Sequence, residues 1–202
     1  VHGEGATEEP AGEAVRGTRP AGLVDGGGRG LGAGGARRPG PEAAAAASLH
    51  VTLVFLGYRP EEEIGRIGEI VAGLAGPAPR IELRDPVRRP ERGRPRLFAL
   101  PISSPETVLL QGELEERLVA ERLHEPERRP FWPHLTVARV RPEARGSKRP
   151  RPVERPPGPL PEGVRERTFD SVRVSLYLSE LKPQGAQYTP LAHVDLSPSG
   201  QQ

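Results

Sequence analysis

Cysteine is missing from all 202 residues, which excludes a disulfide framework, a thiolate metal site and a thiol nucleophile, and leaves no demand for an oxidising compartment. The cytoplasm is the expected location. Long apolar runs are missing too: none approaches the ~18 residues that a bilayer-spanning helix needs. The first thirty residues also lack the apolar core of a secretory signal. A soluble protein without membrane association is expected. Apolar residues are sparse at 35%, while Gly and Pro number 25 each, a balance that implies a globular part joined to segments unable to fold alone. The length suits one domain or two small lobes sharing an interface.

What is present, and repeated, is a short strand signature. His50-Val51-Thr52-Leu53-Val54-Phe55-Leu56-Gly57 and His134-Leu135-Thr136-Val137-Ala138-Arg139 both read His-x-Thr-apolar. Side chains alternate along a strand, so His50 shares a face with Thr52, and His134 with Thr136. Each strand therefore presents an imidazole beside a hydroxyl. With only five histidines in the chain, the repetition carries weight that a single copy would not.

The paired motifs resemble the signature of the 2H phosphoesterase superfamily, and within it the LigT-type RNA 2′,3′-cyclic phosphodiesterases. The matching pieces are Leu49 to Leu53 with Phe55-Leu56-Gly57, then Pro133 to Arg139. The tail from Leu178 to Tyr188 is similar to that family's closing hairpin. The resemblance covers residues 48–196. It implies a two-lobed α+β fold of pseudo-twofold arrangement, with antiparallel sheets, helices on the outside and a central cleft. It also implies that His50 donates a proton to the leaving 3′ oxygen, that His134 accepts one from water, and that Arg139 holds phosphate. The implied partner is an RNA or oligonucleotide ending in a 2′,3′-cyclic phosphate, the expected cofactor is none, and a monomer is expected.

Elsewhere, residues 1–47 hold more than half of the glycines, eleven alanines and no Ile, Phe, Tyr or Trp. No stable structure is expected there. Gly30-Leu31-Gly32-Ala33-Gly34-Gly35 matches a dinucleotide fingerprint, yet no strand pattern precedes it and no helix pattern follows. The related family has an apolar strand and helix ahead of the first motif, so this segment departs from its pattern: either the strand is replaced or the stretch reflects a shifted reading frame. A helix is predicted from Pro60 to about Leu74, another from Pro105 to about Leu123 with a capping box from Ser103 to Glu106. Strands are predicted at Ile81 to Leu83, Leu97 to Ile102, Val172 to Leu178 and Tyr188 to Val194. Residues 141–161, rich in Pro and Arg, read as a mobile loop, and 197–202 as a tail. The net charge is only +2, but arginines bunch from Arg80 to Arg96 and from Arg139 to Arg155, where they can meet phosphates or simply form a solvated basic surface.

Histidine titrates near ~6.5, so at neutral pH one of a pair can be neutral while the other is protonated. Two facing imidazoles can therefore act as base and acid in an in-line displacement at phosphorus, with Thr52 and Thr136 donating to the non-bridging oxygens. The motifs are nearly equivalent, so spacing alone does not assign the two roles. Trp132 and Phe131 can stack on a base or pack the hinge before the strand. A metal hydrolase would need ligand spacing that is missing here. A 2′-5′ RNA ligase using the same site in reverse, or a non-catalytic RNA-binding relative, remains open.

Overall fold

The computed structural model describes residues 21–25, 42–44, 49–165, 168–182 and 185–198. In chain order these form β1 (Ala21–Asp25), β2 (Glu42–Ala43), β3 (His50–Phe55), α1 (Glu61–Ala72), β4 (Arg80–Leu83), β5 (Val87–Arg89), β6 (Leu97–Ser103), α2 (Pro105–Ala120), β7 (His134–Arg139), α3 (Glu162–Arg165), β8 (Thr168–Asp170), β9 (Arg173–Lys182) and β10 (Gly185–Asp195). The strands join in the order β10-β9-β1-β3-β7-β6-β4-β8, with β2 beside β7 and β5 beside β6. Every named pairing is antiparallel. The two His strands lie at the centre of this order, each flanked by three further strands. That is the pseudo-twofold α+β arrangement expected from the repeated motif.

The expectation of no regular structure over residues 1–47 needs correction at two places. β1 lies between β3 and β9, opposite Thr52 through Leu23 and opposite Ser175 on the other side. β2 runs beside the far end of β7. β1 takes the place next to β3 that β6 takes next to β7, so it fills the position where the sequence pattern offered no strand. Its five residues, Ala-Gly-Leu-Val-Asp, have little intrinsic strand preference; pairing on both sides overrides that. Because β1 is antiparallel to both neighbours, it does not open a parallel dinucleotide-binding unit, and Gly30 to Gly35 lie outside the described residues.

The helices form where their apolar periodicity predicts. α1 opens with Glu61, Glu62 and Glu63, favourably placed at the positive end of the helix dipole. Its last turn holds no basic residue, and Arg117 of α2 supplies one from outside by donating to the Gly73 carbonyl at 2.9 Å. α2 is capped by Ser104, whose hydroxyl accepts from the Thr107 amide at 3.1 Å. The capping residue is therefore Ser104 rather than Ser103, because Ser103 is still paired in β6. Ile67 and Val71 of α1 and Leu114 and Leu118 of α2 bury against Val51, Leu53, Val174 and Leu176 of the sheet. Among the described residues α1 and α2 both pack on this core face, and the His-x-Thr side chains, one residue out of phase with Val51 and Leu53, belong to the opposite face.

Residues 141–161 are more paired than their composition suggests. Pro142 bridges Pro150, the Glu143 amide donates to the Arg149 carbonyl and the Arg151 amide to the Arg141 carbonyl, each at 2.9 Å. These bonds use backbone donors that the flanking prolines lack, closing a hairpin-like excursion.

Candidate active site

β3 and β7 pair with Val51 opposite Leu135. Residues opposite one another in an antiparallel pair share a face, and their neighbours take the other face. Hence His50, Thr52, His134 and Thr136 all leave the sheet on the side away from the core, with His50 nearest Thr136 and Thr52 nearest His134. The two imidazoles occupy one diagonal of this square, about 7–8 Å apart at their base. A phosphoryl group fits between side chains spaced in that way. Val51 and Leu53, one residue out of phase, are buried in the core, so the alternation that builds the hydrophobic layer also aims the polar pair outward.

Arg139 joins the same face through an irregularity. Thr136 faces Ala99 and Ala138 faces Phe98, so Val137 is an extra residue in β7. A bulge of this kind reverses the alternation beyond it. Ala138 therefore turns inward and is buried, while Arg139, opposite Leu97, comes to the imidazole side. Leu97 is also opposite Arg89 of β5, so the two arginines flank one row.

His134 is held by two contacts, both from Trp132, and the second is backed by Arg89. Its Nδ1 lies 2.8 Å from the Trp132 carbonyl; a carbonyl only accepts, so Nδ1 carries the hydrogen and Nε2 is left to accept a proton. The Trp132 ring stacks on the imidazole at 4.1 Å between centroids. The Arg89 guanidinium in turn sits 4.2 Å over the indole, a cation–π contact of about 0.5–2 kcal/mol. Burial first, then the positive charges of Arg139 and Arg89, hold the His134 pKa below the usual imidazole value, and the bond to Trp132 only partly opposes them. Near neutral pH this ring is a neutral base.

On the other strand, the His50 ring meets Tyr188 of β10 edge-on at 5.0 Å, and Tyr188 meets Tyr177 at 6.2 Å. Three pairings separate β3 from β10 in the sheet order, so this contact requires the sheet to curl its C-terminal hairpin toward the site. The site face is thereby concave. Among the described residues no group of three or more His, Cys, Asp or Glu is placed to hold a metal ion, and no helix is long and apolar enough to cross a membrane.

A family model described as the 2′-5′ RNA ligase superfamily matches residues 28–158. The chain belongs to that superfamily, whose two-histidine members are the 2H phosphoesterases. A Thermus thermophilus protein named RNA 2′,3′-cyclic phosphodiesterase is 36% identical over 156 residues, covering 73% of this chain and 72% of that protein. An Aeropyrum pernix protein of the same name is 32% identical over 96 residues, covering 46% and 54%. Among solved structures, one from Thermus thermophilus superposes with a TM-score of 0.64 at 27% identity, over 90% of this chain and 99% of that one. Apo LigT of E. coli gives 0.61 at 20% identity, over 89% and 98%, a likeness of fold.

His50, His134 and Arg139, expected from the superfamily resemblance, and Thr52 and Thr136, expected from the strand alternation, all belong to one face of the sheet. Phe131 packs against the core, as the hinge reading expected, but Trp132 packs on the His134 imidazole. Sequence reading missed Arg89 and Tyr188. Arg89 lay in a loop with many arginines, and nothing in its neighbours distinguishes it; Tyr188 lies within the quoted hairpin, but only the curl of the sheet brings it to His50. Of the remaining histidines, His124 sits in the turn after α2 with Nε2 3.5 Å from Glu115, and His2 lies outside the described residues.

The Arg89 stack yields a prediction. Arg89→Gln removes a charge that disfavours protonated His134, so the pKa of that imidazole rises. The acidic limb of kcat/KM against pH should move to higher pH, with the alkaline limb fixed. An acidic limb that stays in place, or moves down, would rule out that electrostatic link.

Proposed function

We propose that this chain hydrolyses the 2′,3′-cyclic phosphate at an RNA end to a 2′-phosphomonoester by paired-histidine acid/base catalysis. The observation that carries the reading is the pairing of Val51 with Leu135, from which the diagonal His50/His134 and Thr52/Thr136 square follows. The cyclic phosphodiesterase names of the relatives support the same substrate class.

In this mechanism a water oxygen attacks phosphorus in line with the bond to O3′, and His134 Nε2 takes the water proton. The P–O3′ bond breaks and His50 delivers a proton to O3′, leaving a free 3′ hydroxyl and a 2′-phosphate. One water is consumed, and exchange with solvent returns each imidazole to its starting state. The depressed pKa and fixed tautomer of His134 suit the accepting role. Thr52 and Thr136 donate to the non-bridging oxygens as their charge grows, and Arg139 adds a fixed positive charge at the row beyond. No step calls for a metal or cofactor. The protein acts as a cytoplasmic monomer in this reading.

The product tests the polarity. With 2′,3′-cyclic AMP as substrate, 2′-AMP is expected, at an undiminished rate in the presence of a chelator. A product of 3′-AMP would reverse the donor and acceptor, and loss of activity to the chelator would favour metal catalysis. The superfamily description favours one second reading, the same site run backwards as a 2′-5′ ligase. Supplying a 5′-hydroxyl strand together with the cyclic end, and looking for joined product, distinguishes the two directions.

A further inference from the structure

The two arginine-rich loops, far apart in sequence, are stitched together at one end of the site face. The Arg96 amide donates to the Arg89 carbonyl at 2.7 Å, and the Val140 amide to the Arg96 carbonyl at 2.9 Å. Arg94 then crosses to the second loop, donating to the Pro150 carbonyl at 3.1 Å and to Glu143 at 2.8 Å. Between the loops lie two adjoining depressions of about 450 and 310 Å³ that share Arg96 and Pro150 as walls. Arg92, Arg94 and Arg149 line the first, and Ser147 and Lys148 the second.

The charge here is not compensated. Glu143 meets Arg94 and Arg149, whereas Arg92, Arg96 and Lys148 are exposed and make no ion pair among the described residues. Five cations thus surround a single carboxylate in an open groove walled by prolines, whose rigidity holds the cations together with little further ordering cost. An open channel of one charge sign suits a linear polyanion.

Its position says which one. Arg139, beside the groove, is five residues along β7 from His134, about 17 Å at strand rise. The Arg139 side chain spans part of that distance, since its charge is felt at His134; the groove begins one residue further out, at Val140, within reach of nucleotides a few steps upstream of the reacting phosphate. Since a 2′,3′-cyclic phosphate terminates the 3′ end of a strand, everything else in that strand lies on its 5′ side.

Resting on the function proposed above, we infer that the groove between residues 88–96 and 140–150 is the track for the RNA strand 5′ of the cyclic end. It grips phosphates rather than bases, so the enzyme distinguishes oligonucleotide ends from mononucleotides by charge contacts and not by sequence.

The test compares 2′,3′-cyclic AMP with a ribo-octamer ending in a 2′,3′-cyclic phosphate, for the intact chain and for the combined variant Arg92→Gln, Arg96→Gln, Lys148→Gln, across roughly 50 to 200 mM salt. In the intact chain the octamer should show the lower KM, rising steeply with salt. The variant should raise the octamer KM about 10-fold and flatten the slope of log KM against log salt by about 2, from three lost contacts at ~0.7 each. Its kcat and its handling of cyclic AMP should be unchanged, which also reports an intact fold. Equal KM for the two substrates in the intact chain, or equal losses on both in the variant, would overturn the inference. If neither substrate is hydrolysed, the catalytic reading fails on its own. The groove is then judged by fluorescence anisotropy with a labelled octamer ending in a 2′-phosphate: salt-sensitive binding weakened by the variant sustains the track, and binding indifferent to the variant overturns it.

Discussion

His134→Ala is expected to cut turnover on a 2′,3′-cyclic nucleotide by roughly 10²- to 10⁴-fold, the usual worth of a positioned proton-transfer group. The loss should fall on kcat rather than KM, because the imidazole takes a proton only as water attacks. His50→Ala should cost a similar factor from the other side of phosphorus. The fold should be little affected, since both rings are on the face away from the core formed by Val51, Leu53, Leu114 and Leu118. The intact enzyme should trace a bell around neutrality. His134 must be neutral to act, and its pKa is lowered, so the acidic limb should fall below the usual imidazole value near ~6.5 and should vanish in His134→Ala. Thr52→Ala and Thr136→Ala should lose less, each removing one donor among several. Full activity in either His variant, measured by product release from 2′,3′-cyclic AMP, would dispose of the acid/base pair.

Val24→Pro should lower the melting temperature by roughly 2–12 °C, from about 1–3 kcal/mol for a strand carbonyl left without its donor, spread over a chain of this size. The argument rests on the backbone. β1 is paired on both edges, with Val24 opposite Val51 on one side and Val174 on the other. Every amide inside such a strand points to one neighbour or the other, so no position within it tolerates the missing N–H of proline. Loss of register would reach Val51 and with it the His50–Thr52 face, so activity should decline along with stability. Thermal unfolding followed by circular dichroism checks this. An unchanged midpoint would mean that β1 is not a central strand.

Local sequence was sufficient wherever one short-range rule decided the outcome. The period-two alternation of His50-Val51-Thr52-Leu53 and of its repeat determined both the strands and which side chains share a face. The helical spacing of Ile64, Ile67, Val71 and Leu74, and of Leu110, Leu114 and Leu118, determined two helices and their buried stripes. The chemistry of the site was legible for the same reason, because an imidazole and a hydroxyl two residues apart in a strand need no distant partner to be aimed together.

Tertiary structure alone decided how the two motifs meet. Nothing in either strand specifies that Val51 sits opposite Leu135, yet that one pairing turns two separate imidazoles into a diagonal pair. The bulge at Val137 is likewise set by β6, whose register turns Arg139 to the site and Ala138 to the interior. β1 has a composition that promises little, and it becomes a strand because β3 and β9 offer unpaired edges on both sides. Arg89, Trp132 and His134 form a stack from segments some forty residues apart, and the Arg89 charge brought near in this way adds to burial in lowering the pKa of the proposed base. Sequence determined which groups could do chemistry; long-range packing lowered the pKa of His134 and strand register set the distance between the groups, because both depend on neighbours that are remote along the chain.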